Sequence, residues 1–345
     1  KNRYILLFKN EIHPAFHEIA RQKNVESIVL KGCNKLFFLQ VRLYQTLRKL
    51  DADFYIFMSF TSPLLFRRAG IINTIHDLSC WDCPQTMVRK MVLYYRIAYR
   101  CAIRHSRKII TVSEFSRKRI LGRYHVPDSF VQVVYNGIAP VFLLPHTQRE
   151  EIVREKYRLP KHFLLSLSTL EPRKNIRLLL RAYKELTESG QRLPDLVLAG
   201  RVGWKLNDVF QAADSIRDRV HVTGFIDDCD LPVLYGMADF FVFPSLYEGF
   251  GLPVIEAMSQ GTLVLCSDAA SLPEVLQGRG ITFQSGSKED LKEKLLATCA
   301  LDDAAKSKMI QSAMDASRRF RWDREAEKLY GVLKNCLIEN QRENC

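Results

Sequence analysis

Two glutamates stand eight positions apart in PSLYEGFGLPVIEAM, residues 244–258, with two glycines and a proline between them. Glu248 falls in a glycine-containing loop that follows the apolar run FFVFPS. Pro253 suits the first turn of a helix, where its missing N–H costs nothing. The helix PVIEAMSQ then stops at Gly261, a residue type fitted to the position just past a helix C-terminus, so Glu256 lies in the first turn or so. The backbone N–H groups around Gly249, Phe250, Gly251 and Leu252 therefore face out of a helix N-terminus. An anion is held well there, and glycine lets a ligand approach the backbone closely. A phosphate at that point, flanked by carboxylates that accept hydrogen bonds from hydroxyl groups, matches a ligand with a phosphate in the middle and a polyol at each end. That ligand is a nucleotide sugar. The same spacing is also met by a Glu248 that only partners the helix dipole and a Glu256 that is an ordinary helix residue. Arg173 and Lys174, following STLEP, weigh toward the ligand, since a transferring diphosphate needs cations where its leaving charge develops.

These residues must be positioned by the elements before them. The apolar runs YILLF, DFYIFM, INTIHDL, KIITVS and VQVVYN read as buried strands in the first half, and FLLSLS, DLVLAG, VHVTG, FFVFPS and TLVLCS in the second. Helical patterns over 38–50, 87–106, 114–124, 175–189 and 287–299 lie between them. Such alternation predicts an α/β chain with two parallel sheets, each covered by helices on both faces. Its 345 residues suit two domains, with a break near residues 136–151 where Pro140 and Pro145 interrupt regular structure. Ligands of open parallel sheets sit beyond the carboxyl ends of the strands. The loops there carry His76 and Asp77 (TIHD), Arg173 and Lys174 (STLEPRKN), Phe225 and Ile226 (GFIDD) and Glu248 (PSLYEGFG), and they read as the walls of one cleft.

Composition narrows the alternatives. The chain is 47% hydrophobic and 26% charged, as soluble globular proteins are, and no apolar run approaches 18 residues. Nine scattered cysteines point to reduced thiols in a cytosolic setting. Cys80 and Cys83 form a lone C-x-x-C without a second pair, and no metal site is expected. The net charge of +13 resides in the first half: residues 1–150 hold 24 Lys and Arg against 10 Asp and Glu, the remainder 27 against 28. Its densest part, residues 86–108, interleaves Arg89, Lys90, Arg96, Arg100, Arg104, Arg107 and Lys108 with apolar residues. Two readings stay open: an amphipathic helix on an anionic membrane surface, or a core-packing helix with a solvated basic face. No nucleic-acid motif accompanies the charge. No G-x-G-x-x-G follows a strand, which argues against a dinucleotide dehydrogenase.

STLEPRKNIRLLLRAY, PSLYEGFGLPVIEAMSQG and SDAASLPEV, in this order, resemble the donor half of retaining glycosyltransferases of family 4, which have the GT-B fold. TIHDLS, KIITVSEFSRKRI and VVYNGI resemble that family's acceptor half, and FRWDREAEKLY its terminal helix, which crosses back to the first domain. The resemblance covers nearly the whole chain. It implies two Rossmann-like domains facing a cleft: 1–145 for the acceptor, 146–321 for the nucleotide sugar, and 322–345 as the returning helix. It also implies a retaining, metal-independent hexosyltransferase without cofactor. Glu248 would contact the donor sugar, Glu256 the ribose hydroxyls, and Gly249, Phe250, Gly251 and Leu252 would present amides to sugar and phosphate. Arg173 and Lys174 would neutralise the leaving diphosphate, His76 would face the transferred sugar, and Phe225 and Ile226 would lie near the base. Asp51–Asp53 imitates a metal-binding D-x-D but precedes a strand.

Two departures stand out. Many relatives carry an arginine where this chain has Ser168. The family also opens with a strand and a glycine-rich loop, whereas here the first glycine is Gly32, so that opening is expected to be missing by some tens of residues. The STLEPRKN subgroup leans toward polysaccharide or O-antigen assembly with GDP-mannose or a UDP-sugar as donor and a glycan or lipid-linked acceptor. The setting would be the cytoplasm, peripheral at the inner membrane face. The alternatives are a sugar-nucleotide epimerase or a pyridoxal phosphorylase on the same fold, or a non-catalytic nucleotide-sugar binding protein.

Overall fold

The computed structural model describes residues 2–32, 34–59, 61–143, 149–201 and 214–343; Pro145, within the expected domain break, lies outside them. The chain forms two compact units, Lys1–Ile75 with Tyr95–Ile109, and His76–Tyr94 with Ile110–Cys345.

In the first unit, β1 (Tyr4–Lys9) pairs in parallel with β2 (Val25–Leu30), Tyr4 opposite Val25 and Lys9 opposite Leu30. β3 (Tyr55–Phe57) pairs in parallel with β4 (Ile71–Thr74), so Asp51–Asp53 precedes a strand as the sequence implied. A continuous helical segment from Lys35 to Leu47, with a π-helical stretch at Phe38–Leu43, buries Phe38, Leu39, Leu43 and Leu47 against Tyr55, Phe66 and Ile71. Strand β2 escaped the sequence reading because Glu26 and Ser27 break its apolar run. The end of the basic helix Arg89–His105 and the start of β5 (Lys108–Thr111) also belong here.

The second unit contains β6 (Val131–Val133) and a six-stranded parallel sheet. Its strands are β7 (Phe163–Leu167), β8 (Asp195–Ala199), β9 (Val220–Gly224), β10 (Phe240–Phe243), β11 (Val264–Ser267) and β12 (Ile281–Phe283). They lie in the order β12-β11-β10-β7-β8-β9. Both faces are covered, which is why β7, β8, β10 and β11 read as unbroken apolar runs. Alternate residues serve opposite cores: Phe163, Leu165, Val197, Phe241 and Phe243 face one, Leu164, Leu196, Leu198, Phe240 and Val242 the other. Helices Ile176–Glu188 and Lys288–Cys299 pack on the second face through Leu179, Tyr183, Leu291 and Leu295, while Leu231–Met237 and Leu252–Ser259 pack on the first. Each fully buried leucine or phenylalanine contributes about 1.5–3 kcal/mol of transfer free energy.

The closing helix Trp322–Glu343 starts against residues 135–138. The Ile138 N–H donates to the Phe320 carbonyl at 2.9 Å, and the buried Glu325 carboxylate accepts from the Tyr135 N–H at 2.8 Å. Gly137 is required there, because a Cβ would stand 2.5 Å from Trp322 N.

Candidate active site

The strand order places the reversal of winding between β7 and β10, the one pair of neighbours from which successive strands proceed in opposite directions. The loops leaving their carboxyl ends diverge there and open a crevice. The loop after β7 runs through a short 3-10 turn, Pro172–Lys174, and ends at Asn175 with φ +54°. It is tied to the loop after β10 by the Leu246 N–H, which donates to the Arg173 carbonyl at 2.9 Å. A cavity of about 510 Å³ opens at this edge, entirely within the second unit. Among its lining residues are Arg173, Lys174, Phe225, Ile226, Leu252 and Glu256, six of the residues that the sequence singled out. Ser168, the position of the missing arginine, lines it too.

Glu248 sits behind Arg173 and Lys174 rather than among the lining residues, and is 7% exposed. One of its oxygens meets Lys174 Nζ at 2.6 Å and the other Arg173 Nη1 at 3.0 Å. Arg173 also holds Glu171 through Nη2 at 2.9 Å and donates to the Tyr247 carbonyl at 2.8 Å. Burial raises the Glu248 pKa, but the neighbouring Lys174 and Arg173 charges outweigh it and hold the carboxyl below its usual range. Both cations thus face the cavity already balanced by carboxylates, a pairing that spacing along the chain could not show.

The glycines between the two glutamates have a different physical reason from the one the sequence offered. A Cβ on Gly249 would lie 2.5 Å from the His76 carbonyl oxygen and 3.0 Å from Asp77 Cβ, so the space is filled by the protein's own chain. Gly251 caps the helix Leu252–Ser259 with φ +113°, and a Cβ there would meet Leu272 at 2.8 Å. The carbonyls of this loop are pinned inward. Ser271 Oγ donates to the carbonyls of Glu248 at 2.9 Å and Phe250 at 2.8 Å, and Ser113 Oγ to that of Gly249 at 2.7 Å. The Phe250 ring is in the core, 5.5 Å from Phe320 between centroids.

Glu256, in that same helix, borders the cavity from the other side. Its Oε2 accepts a hydrogen bond from the Tyr235 hydroxyl at 3.0 Å, and burial pushes its carboxyl up to about 7. Tyr235, fully buried and 21 positions upstream, had no sequence signal as its partner.

His76 is half-buried and is not among the lining residues; its carbonyl accepts from Ser116 Oγ at 3.1 Å and packs on Gly249. The adjoining turn is locked by Tyr247, whose hydroxyl donates to Asp82 at 2.9 Å and accepts from the Leu78 N–H at 3.3 Å. Glu274, from SDAASLPEV, accepts from the N–H groups of Glu114 and Phe115 at 2.8 and 2.9 Å and so caps the helix Glu114–Tyr124.

Known proteins resemble this chain in sequence and in fold. A family model described as Glycosyltransferase Family 4 matches residues 7–142, and one described as Glycosyl transferases group 1 matches 148–314. The chain is 32% identical over 278 residues to the O-antigen chain mannosyltransferase B of Escherichia coli, across 79% of this chain and 72% of that one. It is 33% identical over 220 residues to the serotype-specific mannosyltransferase WbdA of Escherichia coli, covering 62% of this chain but 27% of the relative. Among solved structures, HepE of Anabaena in complex with UDP and glucose superposes with a TM-score of 0.74 at 18% identity, over 97% of this chain and all of the other. A glycosyltransferase of Rickettsia africae does so with 0.73 at 16% identity, over 98% and 99%.

Proposed function

We propose, for a chain that belongs to the family 4 glycosyltransferases and has the GT-B fold, that it moves a hexose from a nucleotide sugar to a glycan or lipid-linked acceptor with retention of configuration and without a metal. The observation that carries this reading is the cavity at the β7–β10 switch, where three cations (Arg173, Lys174 and Arg201), three carboxylates and a helix N-terminus converge. The donor diphosphate lies beside Arg173 and Lys174 and the first amides of the helix Leu252–Ser259, with Glu256 accepting from the ribose hydroxyls. As the sugar C1–O bond breaks toward the diphosphate, its growing charge draws on both cations, which Glu248 and Glu171 aim. Protein cations take the place of a metal in this reading. Phe225 and Ile226 face the base, while Glu248 acts on the transferred sugar's site through the two cations it holds, and His76, outside the cavity lining, supports the Gly249 turn through its carbonyl.

The mannosyltransferase names of the relatives support a mannose donor and a place in O-antigen or other polysaccharide assembly. Two family models that meet between residues 142 and 148 support a functional division into an acceptor domain, 1–145, and a donor domain, 146–321; 322–345 is the returning helix of this reading. No helix among the described residues is long and apolar enough to cross a membrane. The helix Arg89–His105 is basic and exposes Leu93 and Ile97, which supports a peripheral site on the cytoplasmic face. Binding to anionic vesicles that neither salt nor charge reversal at Arg96, Arg100 and Arg104 weakens would remove that part.

The direct test is a titration of UDP, GDP, dTDP, ADP and CMP, then the matching nucleotide sugars, into the protein. One nucleotide raises the melting temperature in the wild type and not in Glu256→Ala, and Glu248→Ala abolishes sugar transfer. Transfer that persists in Glu248→Ala contradicts the role of that residue, and release of epimerised sugar without acceptor assigns a different reaction.

A further inference from the structure

One wall of the cavity is a segment between β9 and the helix Leu231–Met237, and it contributes Phe225, Ile226 and Asp228. Residues 225–230 belong to no strand or helix and hold one backbone turn bond of their own, from the Asp230 N–H to the Asp227 carbonyl at 2.8 Å, so their position depends on what grips them. Arg201 lies over the Phe225 ring at 4.5 Å, and the rest of the grip comes from the helix Glu150–Tyr157 and from Arg149, which precedes it. The Tyr157 hydroxyl accepts from the Asp227 N–H at 3.1 Å and donates to Asp230 Oδ2 at 3.0 Å. Lys156 Nζ bridges Asp227 Oδ2 and Asp230 Oδ2, 2.6 Å from each. Arg149 meets Asp230 Oδ1 at 2.6 Å and the Cys229 carbonyl at 3.1 Å. The Asp230 side chain is 1% exposed, and a carboxylate that deep is tolerable only when charged and hydroxyl partners share it. Three donors therefore converge on one buried oxygen pair directly behind a wall of the cavity.

We propose that Lys156, Tyr157 and Asp230 are positioning residues that hold the 225–228 wall in register with the cavity and thereby set which nucleotide base the site accepts. The proposal rests on the donor-site reading above. A wall that shifts by a few tenths of an ångström loses contact with a well-fitted base more than with a poorly fitted one, because a close packing contact decays steeply with distance. Loosening the clamp should thus erode discrimination before catalysis.

The test is calorimetric titration of UDP and GDP into the whole chain as wild type, Tyr157→Phe, Lys156→Met and Lys156→Arg, with melting temperatures alongside. We expect Tyr157→Phe and Lys156→Met to weaken the preferred nucleotide at least fivefold and the other less than twofold. Saturated turnover should stay within twofold of wild type, and Lys156→Arg, which keeps the charge and the donors, should behave as wild type. Lower melting temperatures with an unchanged ratio of the two dissociation constants would overturn the proposal and leave the clamp a purely structural role. A wild type that binds none of UDP, GDP, dTDP, ADP and CMP would overturn the donor-site reading itself, and this proposal with it.

Discussion

Glu256 gives the sharpest quantitative expectation. Its carboxyl titrates at about 7 in the folded chain instead of 4.5, because burial disfavours the charged form more than the Tyr235 hydrogen bond favours it. A folded pKa raised in this way gives stability that is complete below 4.5 and is lost as pH rises through 7. At about 1.4 kcal/mol per pH unit the full penalty is about 3 kcal/mol, of which about 2.5 kcal/mol develops between pH 5 and pH 8. Glu256→Gln keeps an oxygen for Tyr235 and cannot ionise. Its stability relative to wild type should therefore rise by about 2.5 kcal/mol from pH 5 to pH 8. Urea unfolding followed by tryptophan fluorescence reads this, since Trp81 and Trp322 both belong to the second unit. If the gap between variant and wild type is the same at both pH values to within about 0.5 kcal/mol, the carboxyl is not desolvated as described and the reasoning fails. The same titration bears on binding. A ligand whose hydroxyls need the ionised carboxylate should bind about tenfold more weakly at pH 6 than at pH 8.

Tyr235→Phe removes a hydrogen bond that lowers the Glu256 pKa, so the pH midpoint of nucleotide binding should move above 7; an unmoved midpoint would show that the bond does not act on the carboxylate. Glu248→Gln leaves Lys174 and part of Arg173 without their carboxylate and should cost about 3–5 kcal/mol in urea unfolding. That loss should be constant from pH 5 to pH 8, because a depressed carboxyl keeps its stabilising charge above 4.5 and gives it up only as pH falls further. Gly249→Ala forces a methyl group against the His76 backbone and should destabilise by about 1–3 kcal/mol while reducing transfer. Gly122→Ala, on an exposed turn of the helix Glu114–Tyr124 with open space around it, should instead stabilise by about 0.5–1 kcal/mol in the same melt.

Much of this was legible in the chain itself. The unbroken apolar runs of β7, β8, β10 and β11 could only be strands buried on both faces, because a strand with one wet face alternates. Pro253 and Gly261 marked a helix whose observed bounds, Leu252–Ser259, lie within a residue or two of the reading. Polar loops after strand ends singled out Arg173, Lys174 and Glu248, and the helix that follows the last of them singled out Glu256, since side chains at those ends are the ones a parallel sheet presents to ligands. The motifs, compared with those of relatives, fixed the family. Short strands with mixed polarity, β2 and β12, left too weak a period to be seen.

What tertiary structure decided is how these groups spend their charge and space. No spacing rule relates Lys174 to Glu248, 74 positions apart, or Tyr235 to Glu256; the first pairing arises only when β7 and β10 become neighbours, the second only when the helices before and after β10 pack on the same face of the sheet. Gly249 looked like room for a ligand, and the structure fills that room with the His76 carbonyl. The sequence determined which residues reach the switch point, because periodicity and strand ends are local properties. Whether each carboxylate there is ionised depends on burial and on partners far away in the chain, and these exist only in the folded sheet.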